Sequence, residues 1–290
     1  MTLTLRTKIS GLALLAGVLP VLVLVVLVTT EQQRVSKEVT GEMNLISQQS
    51  TRRIALDVWN MCRLAHETVL RQVQATIKGV REQLASHGPV QVSSADKVSW
   101  EAKNQVTGAV SPVTLPKLMF GPLWLGQNSD PKTPTPVVDE MGRVAGTSVS
   151  VFQRMNEDGD MLRVATNVET AGRSRPLSTY LPARGADGSS NPILAKVLKG
   201  QPYCGLSVLN DTTYIAAYEP LNDERGQLVG MLAVGVPLDS MKLLRSAILE
   251  TKVGRDGYVY VLKGTGAQRG TYVISSGGQQ DGVNIWERTD

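Results

Sequence analysis

The stretch SVSVFQRMNEDGDMLRVATNV, residues 148–168, decides the fold. Apolar and polar residues alternate on both sides of a polar segment, 156–160, which contains a glycine. This is the pattern of two antiparallel strands joined by a tight turn. Similar strand patterns follow at 203–209, 213–220 and 227–236, so we expect a meander of about five antiparallel strands.

A short helix is predicted within this meander, at residues 191–200. It has an asparagine able to cap its first turn, a proline inside that turn and a glycine at its end. Residues 90–150 are predicted to be rich in loops, because prolines and glycines interrupt them repeatedly, with one short helix at 137–144. Strands combined with helices in this order predict an α+β fold.

A long helix is predicted before the strands. Apolar residues recur at steps of three and four from Val35 to Leu84, which indicates one helical stripe. The Gly-Pro pair at 88–89 ends it. We predict a stalk helix over residues 31–87, on the order of 80 Å long, whose first half packs against the same helix of a second copy.

The residues before this helix have the composition of a membrane anchor. Residues 9–30 carry no charge and are mostly Leu, Val and Ala. About 20 such residues span a hydrocarbon core of roughly 30 Å, whereas the apolar part of a cleaved signal peptide is normally shorter. We predict a transmembrane helix at 9–30. Arg6 and Lys8 precede it, so residues 1–8 are predicted to be cytoplasmic and the remainder periplasmic.

Composition excludes several function classes. The net charge of +4 is small and no basic cluster carries aromatic neighbours, so nucleic-acid binding is not expected. The two cysteines, Cys62 and Cys204, are predicted to be unpaired thiols. His66 and His87 are the only histidines, and neither has a metal-ligand spacing. We therefore expect no catalytic residue, metal or cofactor; a hydrolase using Cys204 would lack a base.

The last fifty residues look like the beginning of a second module. Residues 241–252 are predicted to form a connecting helix, and 257–262 with 270–275 a hairpin. A two-stranded hairpin is not an independent domain, so the chain is predicted to be cut short. The predicted division is a first module at 88–240 and the start of a second at 241–290.

Many short segments, in order, resemble one family of sensors. It is the extracytoplasmic double Cache domain of bacterial methyl-accepting chemotaxis proteins and related sensor kinases, a Cache type 3 module fused to a Cache type 2 module. The resemblance extends over 31–290 and is dense over 114–290. The segments that carry it are TLPK (114–117), WLGQN (124–128), PTPVVDE (134–140), VFQRMN (151–156), DMLRVATNV (160–168), TYLPA (179–183), NPILA (191–195), AYEP (217–220) and GMLAVGVP (230–237).

The resemblance implies a membrane anchor, a stalk, two PAS-like modules, a second membrane helix and a cytoplasmic signalling region. The function it implies is the ligand-sensing input of a chemotaxis receptor. There are two alternatives. The chain is the input domain of a histidine kinase or a diguanylate cyclase, or it is an anchored binding protein without an output domain. One departure concerns the ligand: where the family has Tyr-Arg-Gly-Arg, this chain has YCGL at 203–206, which removes two positive charges.

A ligand pocket is predicted on the sheet face turned away from the long helix. Alternation places Arg163, Ala165 and Asn167 on one face of their strand, and Tyr214 and Tyr218 on one face of theirs. We expect apolar walls and a few polar groups around a small carboxylate or amino-acid-like ligand. The candidate ligand-binding residues are Arg154, Arg163, Tyr180, Tyr203, Tyr214 and Tyr218.

Overall fold

The computed structural model describes residues 5–170, 172–209, 212–238, 241–266 and 268–287, without the side chains of 5–19, 94, 208 and 209. The chain divides into two compact units. Met61–Ser246 forms one, which we call the sheet unit. Met1–Asn60 and Ala247–Asp290 form the other, which we call the terminal unit.

Helix α1 covers Leu5–Ala85 and contains the predicted stalk helix except for its last two residues. In the sheet unit, its apolar stripe is buried: Val73, Ile77 and Val80 have at most 1% of their surface exposed. In the terminal unit, the stripe residues Val39 and Met43 are exposed. The same spacing therefore forms part of a core in one unit and an apolar surface in the other.

The sheet unit contains a nine-stranded sheet in the order β3-β2-β1-β6-β5-β4-β9-β8-β7. Neighbouring strands are antiparallel except β1 and β6, which run parallel. The α+β prediction is thus confirmed, and the sheet is larger than the predicted meander of about five strands. The strands are β1 Val90–Asn104, β2 Val110–Phe120, β3 Leu123–Trp124, β4 Ser148–Arg154, β5 Met161–Thr166, β6 Thr179–Leu181, β7 Tyr203–Leu209, β8 Thr212–Asn222 and β9 Leu228–Pro237.

The prediction that residues 90–150 are rich in loops is wrong for the first half of that stretch, where β1 and β2 form a long hairpin. The prolines of β2 suggested a loop. However, β3 pairs with β2 only at Met119 and Phe120. Along Pro112 and Pro116 the outer edge of β2 therefore has no partner strand among the described residues, and a sheet edge of this kind accepts proline.

Two short helices complete the sheet unit, α2 at Val138–Ala145 and α3 at Pro192–Val197. Both lie where the sequence predicts helices. The Asn191 side chain accepts hydrogen bonds from the backbone N–H groups of Ile193 and Leu194, which is the predicted N-cap. The structure thus confirms both the position and the local cause of α3.

The later part of the chain has little regular structure. Helix α4 covers Lys242–Glu250, where a connecting helix is predicted. The predicted hairpin is present only as β12 Val261–Leu262 with β13 Tyr272–Ile274. The preceding residues form β11, Gly257–Tyr258, which pairs instead with β10, Lys252–Val253.

Over the part of the chain that the structure describes, no helix combines the length and the apolar character that crossing a membrane requires. Residues 1–4 lie outside that description, and so do the side chains of residues 5–19. The undescribed side chains include those of Arg6 and Lys8 and those in the first half of the predicted span at 9–30.

Candidate functional site

Two apolar clusters lie on the two faces of the sheet. Adjacent residues of a strand alternate between them: Val151 belongs to the cluster that contains the buried face of α1, and Phe152 to the cluster that contains α3. In β8, Ile215 and Ala216 divide in the same way. We call these the α1 cluster and the α3 cluster; the candidate pocket lies on the face of the α3 cluster.

A β-bulge sets the position of the central candidate residue. The pairing of β4 with β5 shifts between Val151 and Phe152, so that Phe152 lies opposite Arg163 and Val151 opposite Ala165. Arg163 therefore points to the α3 side, whereas Ala165 belongs to the α1 cluster. The prediction that Arg163 and Ala165 share a face is wrong, because a bulge interrupts the alternation of side chains.

Asn167, the third residue of that predicted face, has a local role. Its side-chain oxygen accepts a hydrogen bond from the N–H of Val149 at 2.7 Å, and its amide donates to the carbonyl of Thr147 at 3.0 Å. Asn167 thus fixes the beginning of β4 against the end of β5.

Arg163 is a buried cation with few partners. Only 2% of its surface is exposed. Its Nη1 donates to the Thr179 hydroxyl at 2.9 Å and to the Pro176 carbonyl at 3.4 Å, while its buried Nε has no hydrogen-bond partner. The guanidinium carbon lies 4.9 Å from the centre of the Phe152 ring. Among the described residues, no carboxylate forms an ion pair with it.

The electrostatics of Arg163 follow from this burial. Desolvation lowers the pKa of Arg163 to about 10, and Tyr218 and Tyr214 offset part of that effect. Burial also raises the pKa of Tyr218, while its hydrogen bond with Ser207, 2.7 Å between the two hydroxyl oxygens, lowers it in part. Both side chains thus lie in a medium that disfavours charge, where an anion next to Arg163 is attracted strongly.

Arg163 borders a small cavity of about 30 Å³. A bound water needs about 10–15 Å³ of such volume, so the cavity as it stands holds roughly two waters. Beside the apolar parts of β8 and β9, its walls are aromatic rings, hydroxyl groups and the guanidinium, contributed by Ser150, Phe152, Arg163, Ser207, Tyr214 and Tyr218.

The other three candidate residues do not border this cavity. Tyr203 packs edge-on against Tyr218, with ring centres 6.1 Å apart. Tyr180 packs against the α1 cluster, and its hydroxyl accepts a hydrogen bond from Asn104 at 3.0 Å. Arg154 donates to backbone carbonyls of the β4–β5 turn. The structure therefore brings together Arg163, Tyr214 and Tyr218, and it places Tyr180 on the opposite face.

A wider groove adjoins the cavity. It has a volume of about 790 Å³ and shares Ser148, Val168 and Tyr214 with the cavity. Its other wall comes from the segment 131–143, which includes the first turn of α2. The groove is large enough for a metabolite.

Sequence reasoning missed a second buried arginine. Arg175 forms an ion pair with Asp139, with Nη2 at 2.9 Å from the carboxylate, and only 2% of the arginine side chain is exposed. Its Nη1 also donates to the Thr166 carbonyl and the Thr135 hydroxyl, each at 2.8 Å. Arg175 lies in a loop, where no periodicity marks a buried residue.

The described residues offer no catalytic or metal-binding arrangement. They contain no group of three His, Cys, Asp or Glu side chains able to hold a metal ion. Cys62 and Cys204 are free thiols. Burial raises the pKa of Cys204, and a hydrogen bond with Gln74 offsets part of the rise, so the reactive thiolate is disfavoured.

The site thus consists of a buried arginine beside a small cavity, on a sheet whose opposite face packs against a long helix. The chain belongs to the Cache 3/Cache 2 fusion domain family, whose model matches residues 36–290. This confirms the resemblance predicted from the sequence segments. Cache domains are extracytoplasmic sensor modules that bind small-molecule ligands.

The other comparisons add little detail. A search of curated proteins found no match. Among solved structures, nine chains match. One is the periplasmic domain of RsbU from Chlamydia trachomatis, with 14% sequence identity and a TM-score of 0.31; the alignment covers 56% of this chain and 52% of that one, about half the length of each.

Proposed function

We propose that this chain is the extracytoplasmic input domain of a transmembrane receptor of the methyl-accepting chemotaxis type, and that it binds a small carboxylate or amino-acid-like ligand at Arg163. The observation that carries the ligand class is the buried guanidinium of Arg163, which has no carboxylate partner among the described residues. A buried charge is unfavourable unless an opposite charge or sufficient hydrogen bonds compensate it. An anionic ligand supplies the missing partner.

The surroundings of Arg163 suit a planar anion. The Phe152 ring supports one side of the guanidinium, and the Nε donor has no other acceptor. A carboxylate accepts two parallel hydrogen bonds from such a group, and charge-assisted bonds of this kind are stronger than neutral ones. The hydroxyl groups of Tyr218 and Ser207 border the same cavity and are polar groups for the remainder of the ligand.

Because the cavity is small, ligand binding requires the cavity to change its shape. A space for roughly two waters is too small for a metabolite, so the cavity must widen toward the groove when the ligand enters. A ligand that binds the widened state better shifts the population toward that state. This is the property that a sensor requires.

We further propose that residues 9–30 anchor the domain in the inner membrane and that α1 forms a homodimer with a second copy. The uncharged run of residues supports the anchor. The exposed apolar stripe of α1, which includes Val35, Val39, Met43 and Ile46, supports the dimer. The alternative to a chemotaxis receptor is the input domain of a histidine kinase or a diguanylate cyclase, because a Cache domain is a sensor module that does not determine the type of output.

Ligand binding by the full chain in detergent tests the proposal. A panel of small carboxylates and amino acids is screened for an increase in the unfolding temperature, and the best ligand is titrated calorimetrically. Arg163→Ala should weaken binding by about 1.5–3 kcal/mol, the range for hydrogen bonds to charged groups.

Arg154→Ala is the matched control, because Arg154 binds turn carbonyls and does not border the cavity. It should bind the ligand with wild-type affinity. If no member of the panel stabilises the folded protein, or if Arg163→Ala binds as tightly as Arg154→Ala, the proposed ligand site is wrong.

A further inference from the structure

The segment 129–139, which we call the cover segment, is held by one buried arginine. Besides its ion pair with Asp139, Arg175 binds the Thr135 hydroxyl in this segment and the Thr166 carbonyl at the end of β5. The backbone N–H of Arg175 also donates to the Ser129 carbonyl at 3.0 Å. Arg175 thus joins both ends of the cover segment to the end of β5, the Asp139 end through its guanidinium and the Ser129 end through its backbone N–H.

A strained backbone lies between the two side chains that Arg175 holds. Val137 has φ 64° and ψ −50°, and the N–H of Val138 donates to the Pro136 carbonyl at 2.6 Å. This is a γ-turn with positive φ, a rare and strained conformation, and it is least favourable for a β-branched residue. Thr135 and Asp139 lie on either side of it. Arg175 therefore contacts the residues on both sides of the strained turn, while Val137 and Val138 themselves are buried in the α1 cluster.

The cover segment forms a wall of the groove that adjoins the cavity. Pro131, Pro134 and Asp139 line this groove, and Ser148 and Tyr214 line both the groove and the cavity. Movement of the segment away from the sheet would widen the space beside Tyr214. The position of the segment is therefore suited to control access to Arg163.

Arg163 and Arg175 are also connected through the backbone. Pro176 directly follows Arg175, and its carbonyl accepts a hydrogen bond from Nη1 of Arg163 at 3.4 Å. The N–H of Ser178 donates to the carbonyl of Arg163 at 3.0 Å. An anion that draws the Arg163 guanidinium toward itself removes an interaction that holds Pro176, next to Arg175.

We propose that Arg175 and Asp139 form an ionic latch, which keeps the cover segment closed beside the Arg163 cavity and responds to an anion on Arg163 through Pro176. The proposal rests on the proposed ligand site and adds its regulation. In this scheme Arg175 and Asp139 are positioning residues. They contact no ligand, and they set the rate at which the cavity opens.

Thiol labelling measures this opening without any ligand. Ser150 is 5% exposed and borders the cavity but not the groove, so Ser150→Cys, in a Cys62→Ser and Cys204→Ser background, reports opening. Asp139→Asn should increase the labelling rate of this cysteine by about tenfold or more, the effect of losing one charge-assisted hydrogen bond. Arg175→Lys is the second variant. It keeps the positive charge but loses the planar set of guanidinium N–H donors, so it should also accelerate labelling.

Glu219→Gln is the matched control, because Glu219 forms an exposed 2.8 Å ion pair with Arg81 away from the latch. It should label at the rate of the parent. Near-ultraviolet circular dichroism verifies that each variant is folded. If Asp139→Asn and Arg175→Lys both label at the control rate, the latch is overturned.

Acetate, the simplest carboxylate probe, distinguishes a failure of the latch proposal from a failure of the ligand-site proposal. If latch variants accelerate labelling but acetate does not change the rate in the parent, the latch stands and the carboxylate site is contradicted. If acetate changes the labelling rate while the latch variants do not accelerate it, the ligand site stands and the latch is wrong.

Discussion

Replacing Arg163 with methionine should stabilise the ligand-free protein, although it removes the side chain on which ligand binding is proposed to depend. Burial lowers the pKa of Arg163 to about 10. At about 1.4 kcal/mol for each pKa unit, the charged form of this side chain costs about 3 kcal/mol in the folded chain. Because the pKa is lowered, the unfolded chain binds more protons above pH 10, so this cost is fully present at neutral pH and decreases progressively as the pH rises above about 10.

Two favourable contacts are lost with the guanidinium. Its hydrogen bond to the Thr179 hydroxyl is worth about 1 kcal/mol, and Thr179 keeps its own bond to the Pro176 carbonyl at 2.9 Å. The contact with the Phe152 ring is worth about 1–2 kcal/mol, of which a methionine sulfur recovers about half. The net expectation is an increase of about 1 kcal/mol in the free energy of unfolding.

Urea denaturation of the full chain in detergent, with linear extrapolation, measures this difference. Arg175→Met is the matched control, since Arg175 is equally buried but is paired with Asp139. Breaking a buried ion pair costs about 3–5 kcal/mol, so this variant should be destabilised by that amount. If Arg163→Met loses as much stability as Arg175→Met, Arg163 is a structural residue and the argument for a missing anion is refuted.

Two further predictions concern packing and assembly. Gly230→Ala should destabilise the sheet unit by about 1–3 kcal/mol in the same assay, because a Cβ there would collide with the Phe152 carbonyl in the neighbouring strand. Gly41→Ala is the control and should not destabilise the protein, because its Cβ would meet no neighbouring atom within 4 Å. Cysteines at Val39 or Met43, in a chain without its native cysteines, should crosslink between copies, and equal crosslinking from Lys37 would contradict a defined dimer interface.

Much of the fold follows from periodicity. The stripe that buries Val73 and Ile77 has helical spacing, and the capped helix α3 is marked by Asn191 and its following proline. The face shared by Tyr214 and Tyr218 follows from simple alternation in β8, which has no irregularity there. Long, regular and half-buried elements can be predicted because burial repeats at the period of the backbone.

The parts that could not be predicted lack such a period. The bulge beside Phe152 exchanges the faces of Ala165 and its neighbours, and no composition signal marks it. The pairing of Arg175 with Asp139 joins a loop to the first turn of α2, 36 residues away in sequence, and only the folded chain brings them together. Strand β2 of the first hairpin contains prolines because most of its outer edge needs no partner strand.

The cost of burying Arg163 also limits how strongly a ligand acts through it. About 3 kcal/mol corresponds to roughly a hundredfold change in an equilibrium, whereas moving a two-state protein from about 1:99 to 99:1 needs about 5.5 kcal/mol. An anion that only neutralises Arg163 therefore shifts the population substantially without converting it completely. In the proposed receptor, the remainder would have to come from contacts between the rest of the ligand and the widened cavity, or from a second copy whose α1 moves together with the first.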